Sequence, residues 1–352
     1  MKKLLLTTAA MLTISSAAFA ANTTTVNQPG SGNGATVNQS GGTKGNNKVD
    51  QNGNNNSASV TQADDGTGDA QVNFSVVNQT GNSNSATVLQ ASETVPAVTF
   101  NDSNVQQTGN GNTASVTQRN QAQNTNVTQN SNNNTASVTQ GVAGDAAEIS
   151  DNNFTSITQQ GIGNHDATVS QTGENGYIAN IQVGDDNTFF ADQRGSLNVI
   201  NGQQTGIASL VDGRPTQTGT NNNIQFDQRG NNSIIAFEQI TGADDGDITI
   251  RQLANNSYAA ASQRTNDNSS SNIDQRGTGH FALTVQTGLN GVSTITQSGL
   301  SNSSEVRQNG NNNNSTINQT GDNGFISVTQ NTAGNTSNIT QSNSGNSATV
   351  VQ

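Results

Sequence analysis

Residues 80–90 read TGNSNSATVLQ, and the phrase returns as TGNGNTASVTQ at 108–118 and as NSNNNTASVTQ at 130–140. In the first copy Asn84, Ala86, Val88 and Gln90 fall on one side of a period-2 pleat, while Ser85, Thr87 and Leu89 fall on the other. One face carries amides around two small apolar residues, and the opposite face is mostly hydroxyl. The Gly-Asn pair that opens the phrase is a turn signal, so each copy reads as a short strand entered through a tight corner. Repetition of one such unit at a fixed spacing is the mark of a repeat architecture.

Working outward from these copies, glutamines hold the phase through nearly the whole chain. They fall at Gln28, Gln39, Gln51, Gln62, Gln79, Gln90, Gln107, Gln118, Gln129, Gln140, Gln159 and Gln171, then at Gln182, Gln193, Gln204, Gln217, Gln228, Gln239, Gln252 and Gln263, and finally at Gln275, Gln286, Gln297, Gln308, Gln319, Gln330, Gln341 and Gln352. Most steps are 11 to 13 residues, interrupted by jumps of 17, 17 and 19. Alternate segments differ four residues before the glutamine. Even copies carry Ala there, as at Ala35, Ala58, Ala86, Ala114, Ala136 and Ala348; odd copies carry Asn, Ser or Thr, as at Thr24, Asn47, Ser75, Ser293 and Ser315. The true period is therefore about 22 residues, made of two unlike strands.

Two strands and two corners per period describe one coil of a flattened, all-β solenoid, and the 28 segments give about 14 such coils. Gly stands two residues after many of the glutamines, as at Gly53, Gly81 and Gly109, where a tight corner needs positive φ. The three long jumps, 62 to 79, 90 to 107 and 140 to 159, all lead from an even strand to an odd one, so their loops should leave the coil at the same edge. The pleat puts Asn, Ala, Val or Ile, and Gln inside each coil. A buried amide is costly unless it is satisfied, and stacking identical amides in register satisfies them as a ladder. The pattern weakens over 196–217, where Gly202 and Pro215 replace apolar residues, so that coil should be irregular because Pro cannot donate to a ladder. Phe226 and Phe237 stand in the Val position just after it and should widen the core.

Composition sets the alternative. With 3% aromatic residues, no Cys, no Trp and a net charge of −12, the 352 residues have the profile of a disordered polymer, and no disulfide holds them. The phased glutamines argue for order instead. At the start, Lys2 and Lys3 precede an apolar run from Leu4 to Ile14, and Ala18-Phe19-Ala20 provides the small residues of a cleavage site. Residues 1–20 thus read as a secretory signal peptide and 21–352 as the repeat region, which makes the protein an exported one. No apolar run is long enough for a transmembrane segment. Without Lys2 and Lys3, ten basic residues face 24 acidic ones, a net −14 that argues against nucleic acid or an anionic membrane as a partner.

The last consensus strand is SATVVQ at 347–352, and the first begins at Asn22. Soluble solenoids end in polar caps, since a naked strand templates other chains. Neither end reads as capped, so the expected cap is another copy of the same chain, added head-to-tail by a non-closing contact.

The pattern Q-x-G-x-x-N-x-A-x-V-x-Q, alternating with halves of the form S-x-x-I/V-x-Q, resembles the curlin repeat of curli, the extracellular amyloid fibres of Gram-negative biofilms, across essentially all of 21–352. The resemblance implies strand-loop-strand units whose inward rungs drive assembly. It also implies a secreted subunit that leaves through a dedicated outer-membrane channel, a related minor subunit that nucleates the fibre, and a fibre on the cell surface serving adhesion, aggregation and the biofilm matrix. The implied self-assembly ladder maps onto the glutamines above and onto Asn33, Asn56, Asn84, Asn112, Asn134, Asn302 and Asn346. This chain has far more repeats than the family's usual handful and almost no Gly-rich segment after the leader. Its ending, SNSGNSATVVQ, is close to consensus, which favours the main structural subunit over the nucleator.

Catalytic chemistry has little to work with, and neither an enzyme nor a cofactor is expected. His165 and His280 both stand six before a glutamine, in the place of Asn, and read as replaced rungs. Asp64-Asp65-Gly66 and Asp244-Asp245-Gly246 lack the repeated spacing of a calcium-binding solenoid and read as solvated loops. Arg194, Arg229, Arg264 and Arg276 each follow a ladder glutamine and read as edge control. A monomeric surface-binding solenoid, ice-binding or adhesin-like, is the rival, since Thr294-Ile295-Thr296 exposes a Thr-x-Thr pair. Its neighbours do not continue that pair into a flat array.

Overall fold

Ser85–Ala91 alternates buried and outward residues down its length: Ala86, Val88 and Gln90 are shut away, while Ser85, Thr87 and Leu89 face out. Its neighbours on either side are Ser57–Ala63 and Thr113–Arg119, both parallel, with Ala86 against Ala58 and Ala114, Val88 against Val60 and Val116, and Gln90 against Gln62 and Gln118. The period-2 pattern places Ala and Val inside, and the 22-residue period then stacks like on like.

The computed structural model describes residues 11–16 and 22–352, apart from 41–44, 64–72, 92–99, 120–121, 142–151, 241–243 and 265–267, with 11–16 and 213–216 described through the backbone alone. The protein is all-β, with 29 strands and no helix among the described residues. Within each unit, even strands form one parallel sheet and odd strands the other, as the Ala versus Ser alternation requires. Parallel pairing follows from the coil, because each strand meets its own kind one full turn later.

The chain divides into two compact units, 1–167 with 171–174, and 168–170 with 175–352. In the first, Gly34–Ser40, Ser57–Ala63, Ser85–Ala91, Thr113–Arg119 and Thr135–Gln140 form the even layer. Thr23–Asn27, Asn46–Asn54, Phe74–Asn82, Asp102–Thr108, Asn124–Gln129 and Phe154–Gly163 form its odd layer. The second unit has the same build, with odd strands from Tyr177–Asp185 to Thr336–Gln341 and even strands from Thr188–Arg194 to Ser347–Val351. Each unit is a β-solenoid with two strands per coil. The three long insertions lie largely outside the described residues, but their flanks are placed. Ala63, Ala91 and Gln140 end even strands, and the next strands, from Phe74, Asp102 and Phe154, are odd, so all three loops leave at one edge.

The chain also adds a strand that the pattern did not foretell. Met11–Ser16, within the segment read as a leader, pairs parallel with Gly34–Ser40, Leu12 opposite Ala35 and Ile14 opposite Val37.

The irregular coil falls where expected. Between Ala191–Gly213 and Gln193–Gln217 the strand Leu210–Gln217 gains two residues over its neighbour, a bulge around Pro215. The widened core begins before the bulge: Phe189, Phe226 and Phe237 stack in turn, with centroids 5.8 and 6.2 Å apart. A Cβ on Gly202 would lie 2.5 Å from the Phe226 ring, so the ring fills the space the glycine leaves.

Candidate functional site: the inward amide ladders

The glutamine at the end of each strand points into the coil, and its Nε2 has two hydrogens to place. One goes to the glutamine of the next rung. In the first unit the bonds run from Gln28 to Gln51, Gln79, Gln107, Gln129 and Gln159, and from Gln39 to Gln62, Gln90, Gln118, Gln140 and Gln171, at 2.5–3.1 Å. In the second they run from Gln182 to Gln204, Gln228, Gln252, Gln275, Gln297, Gln319 and Gln341, at 2.9–3.2 Å. The even ladder there runs from Gln193 to Gln217, Gln239, Gln263, Gln286, Gln308, Gln330 and Gln352, at 2.7–3.0 Å.

In most rungs the other hydrogen crosses to the opposite sheet. Gln79 Nε2 reaches the carbonyl of Ser57 at 2.9 Å, Gln118 that of Asp102 at 2.8 Å, and Gln308 that of Val292 at 2.9 Å. An amide that makes both bonds ties rung to rung and sheet to sheet, which is how a thin core of Ala, Val and Ile is held without a large oily interior. At roughly 0.5–1.5 kcal/mol net per bond, the ladders add up along the stack. The donors all point toward the higher-numbered rung, so each ladder has a sense.

Burial matches the inward assignment. From Gln51 to Gln330 the ladder glutamines are at most 4% exposed. Gln39 and Gln341 are 6% and 7% exposed, Gln28 is half-buried and Gln352 is exposed. Asn33, Asn56, Asn84, Asn112, Asn134 and Asn302 are buried, but Asn346 is exposed and its side-chain amide bonds locally, to the Asn343 carbonyl. Asn346 and Gln352 keep the register yet lie on a final rung that no further described rung covers.

The asparagines correct one expectation. They do not pass a side-chain ladder from amide to amide. Asn33 Oδ1 accepts the backbone N–H of Asn56 at 2.9 Å, Asn56 Oδ1 that of Asn84, and Asn84 Oδ1 that of Asn112, both at 3.0 Å. Their Nδ2 groups reach the corner carbonyls of the next coil, Gly53, Gly81 and Gly109, each at 2.9 Å. The shorter asparagine stands at the corner, where a backbone is nearer than another amide, so it staples corners together.

His280 shows what this position demands. Its Nδ1 accepts the Asn302 N–H at 3.2 Å, which leaves the proton on Nε2 to meet the Arg276 carbonyl at 2.8 Å. The neutral ring thereby reproduces both asparagine bonds, and burial holds its pKa below the ordinary value. His165 takes the Asn134 bond through its backbone N–H, with Nε2 3.0 Å from the Gln160 carbonyl. Both histidines are replaced rungs. Asp64 and Asp65 lie outside the described residues, whereas Asp244 Oδ1 accepts the Thr220 N–H at 2.8 Å and Asp245 turns a corner with φ 55°. Arg194, Arg229 and Arg276 pair with the carboxylate two residues before them, and Arg264 pairs with Glu238 across a rung.

Two features lay beyond the sequence reading. Seven residues before the glutamine the backbone is left-handed in most segments, held by Asn, Asp, Ser or Gly, and at Ala122 and Leu197 by residues that gain nothing from it. An excess of Asn and Gly at that place was the available signal. The second is Asn180, 1% exposed in the column of Val and Ile with neither amide atom hydrogen-bonded, while its neighbour Ile181 faces outward.

No protein-family model matches this chain, and no curated protein matches its sequence.

Proposed function

We propose that the chain is an exported structural subunit that stacks head-to-tail into curli-like cross-β fibres, as the main subunit. The observation that carries this reading is the even ladder of the second unit, which repeats one amide bond through every rung from Gln193 to Gln352, so that each rung offers its successor the groups it received from its predecessor. Ser347–Val351 pairs with Phe325–Gln330 on one side, and no described strand covers the other. Gln352 Nε2 gives one hydrogen to the Thr336 carbonyl and has a second to give. An open parallel edge with an unfilled amide donor is a template for a matching strand. The function follows in kind: an extracellular fibre for matrix, adhesion and aggregation. A nucleating minor subunit and an outer-membrane channel are the partners that the curlin resemblance adds.

The monomeric surface-binding alternative finds less support. Thr294 and Thr296 are flanked in register by Asn272 and Asp274 on one side and by Thr316 and Asn318 on the other, so no continuous threonine face forms there.

The test is a seeded thioflavin time course on residues 21–352. A lag that sonicated seeds abolish supports the fibre subunit, and a permanently flat trace from a folded monomer returns the argument to the surface-binding solenoid.

A further inference from the structure

The Gly34–Ser40 edge has an occupant within this chain. Met11–Ser16 lies parallel along Gly34–Ser40, with Met11 opposite Gly34, Leu12 opposite Ala35, Ile14 opposite Val37 and Ser16 opposite Gln39. From Gly34–Ser40 to Thr135–Gln140 the strand before is otherwise a consensus strand, one coil earlier, with Ala, Val and Gln at the register positions that Leu12, Ile14 and Ser16 take here. Laid on Gly34–Ser40 in that register, Ser347–Val351 of a second copy would bring Ala348 to Ala35, Val350 to Val37 and Gln352 to Gln39. Both strands need the same edge, so they exclude each other.

The ladder states the difference between the two occupants. At Gln62, Gln90, Gln118 and Gln140 the Oε1 receives the Nε2–H of the preceding glutamine. At Gln39 the Oε1 accepts the Thr24 hydroxyl at 3.0 Å, and the residue in register before it is Ser16, which has no amide. Gln352, with its second Nε2 hydrogen, has the donor that a continuing ladder needs.

We propose that the Gly34–Ser40 edge is the docking site for the Ser347–Val351 strand of a second copy, and that Met11–Ser16 blocks it until residues 1–20 are removed. This rests on the fibre reading. The uncut chain keeps a Ser347–Val351 strand that no described strand covers on its second side, so it joins a growing end once and then ends growth there. It is a chain terminator rather than an inert precursor.

The experiment uses three proteins: the full chain, residues 21–352, and the full chain with Leu12→Pro and Ile14→Pro, which strips backbone donors from the blocking strand. Every coil from Thr23 onward is complete without residues 1–20. Seeds made from 21–352 are offered each protein as monomer, and the full chain is also added in trace amounts to growing 21–352 fibres. The expected result is that 21–352 elongates the seeds, the full chain does not, trace full chain arrests growth at one end seen by microscopy, and the proline variant regains elongation. Equal elongation by the full chain and 21–352 overturns the block while leaving the fibre reading intact. Equal failure of the full chain and its proline variant assigns the effect to bulk rather than to the strand, and also overturns it. If 21–352 fails to elongate its own seeds, the fibre reading itself fails, and the docking site with it.

Discussion

At the scale of single residues, the inward column tolerates only groups that keep both ladder bonds. Gln330 is fully buried, giving one hydrogen to Gln352 Oε1 and one to the Asn314 carbonyl. Gln330→Glu removes both donors and buries a charge, so it should lower the thermal midpoint well beyond the roughly 1–3 kcal/mol of an ordinary unsatisfied group. Thr329→Glu, one residue away and facing out, should stay within about 0.5 kcal/mol. Similar losses from the two variants would overturn the inward assignment. Asn180 is the opposite case: an amide with no partner in an apolar column. Asn180→Val should stabilise by about 1–3 kcal/mol, seen as a higher urea midpoint; a lower one would mean the amide has an undetected role.

His280 adds a pH dependence whose sign is fixed. Its pKa is lowered by burial, opposed by its bonds to the Arg276 and Gly299 backbone and by the charge of Asp322. The folded protein therefore binds fewer protons than the unfolded chain near this group, and stability rises with pH. The contribution should be complete above the unfolded value of 6.5 and fall away as pH drops through it toward the lowered folded value. Protonation would set an Nδ1–H against the Asn302 N–H, two donors facing each other. His280→Asn should flatten that part of the stability profile; an unchanged slope would remove His280 as its source. The inward identity of these residues was legible because the pleat has period 2. Their bonding was not, since spacing does not say that asparagine at a corner lies closer to a backbone than to another amide.

Among elements, the corners limit the coil more than the strands do. The glycine column was legible, but its reason was only partly so. Gly81 has φ 115°, and a Cβ there would also sit 1.9 Å from the Gly109 carbonyl oxygen of the next coil. At Gly288 no positive φ is involved, yet a Cβ would sit 2.2 Å from the Gly310 oxygen. Close stacking of corners, not φ alone, excludes a side chain. Gly81→Ala should therefore be strongly destabilising, while Gly34→Ala, with open space around its Cβ, should be neutral or slightly stabilising. Thermal melts of the two variants separate the cases, and equal effects would deny that corner stacking sets the rule. The strand parity and the shared edge of the insertions were readable because an inserted loop cannot change which sheet follows. The Met11–Ser16 strand was not, because its apolar run carries the signature of a leader and no ladder glutamine.

On the scale of the whole molecule, the ladder that orders each coil is also the one a neighbour would extend, so folding and assembly draw on the same bonds. In each unit stability comes from rungs with neighbours, and a terminal rung such as that of Asn346 and Gln352 is left exposed. The same account requires the fibre axis to lie along the stacking direction of the coils. X-ray diffraction from aligned fibres of residues 21–352 measures that directly. We predict a meridional reflection near 4.7–4.8 Å from stacked rungs and an equatorial one near ~10 Å from the facing sheets. Fibres whose strand spacing falls on the equator, or a protein that stays monomeric under seeding, would contradict head-to-tail continuation of the ladder.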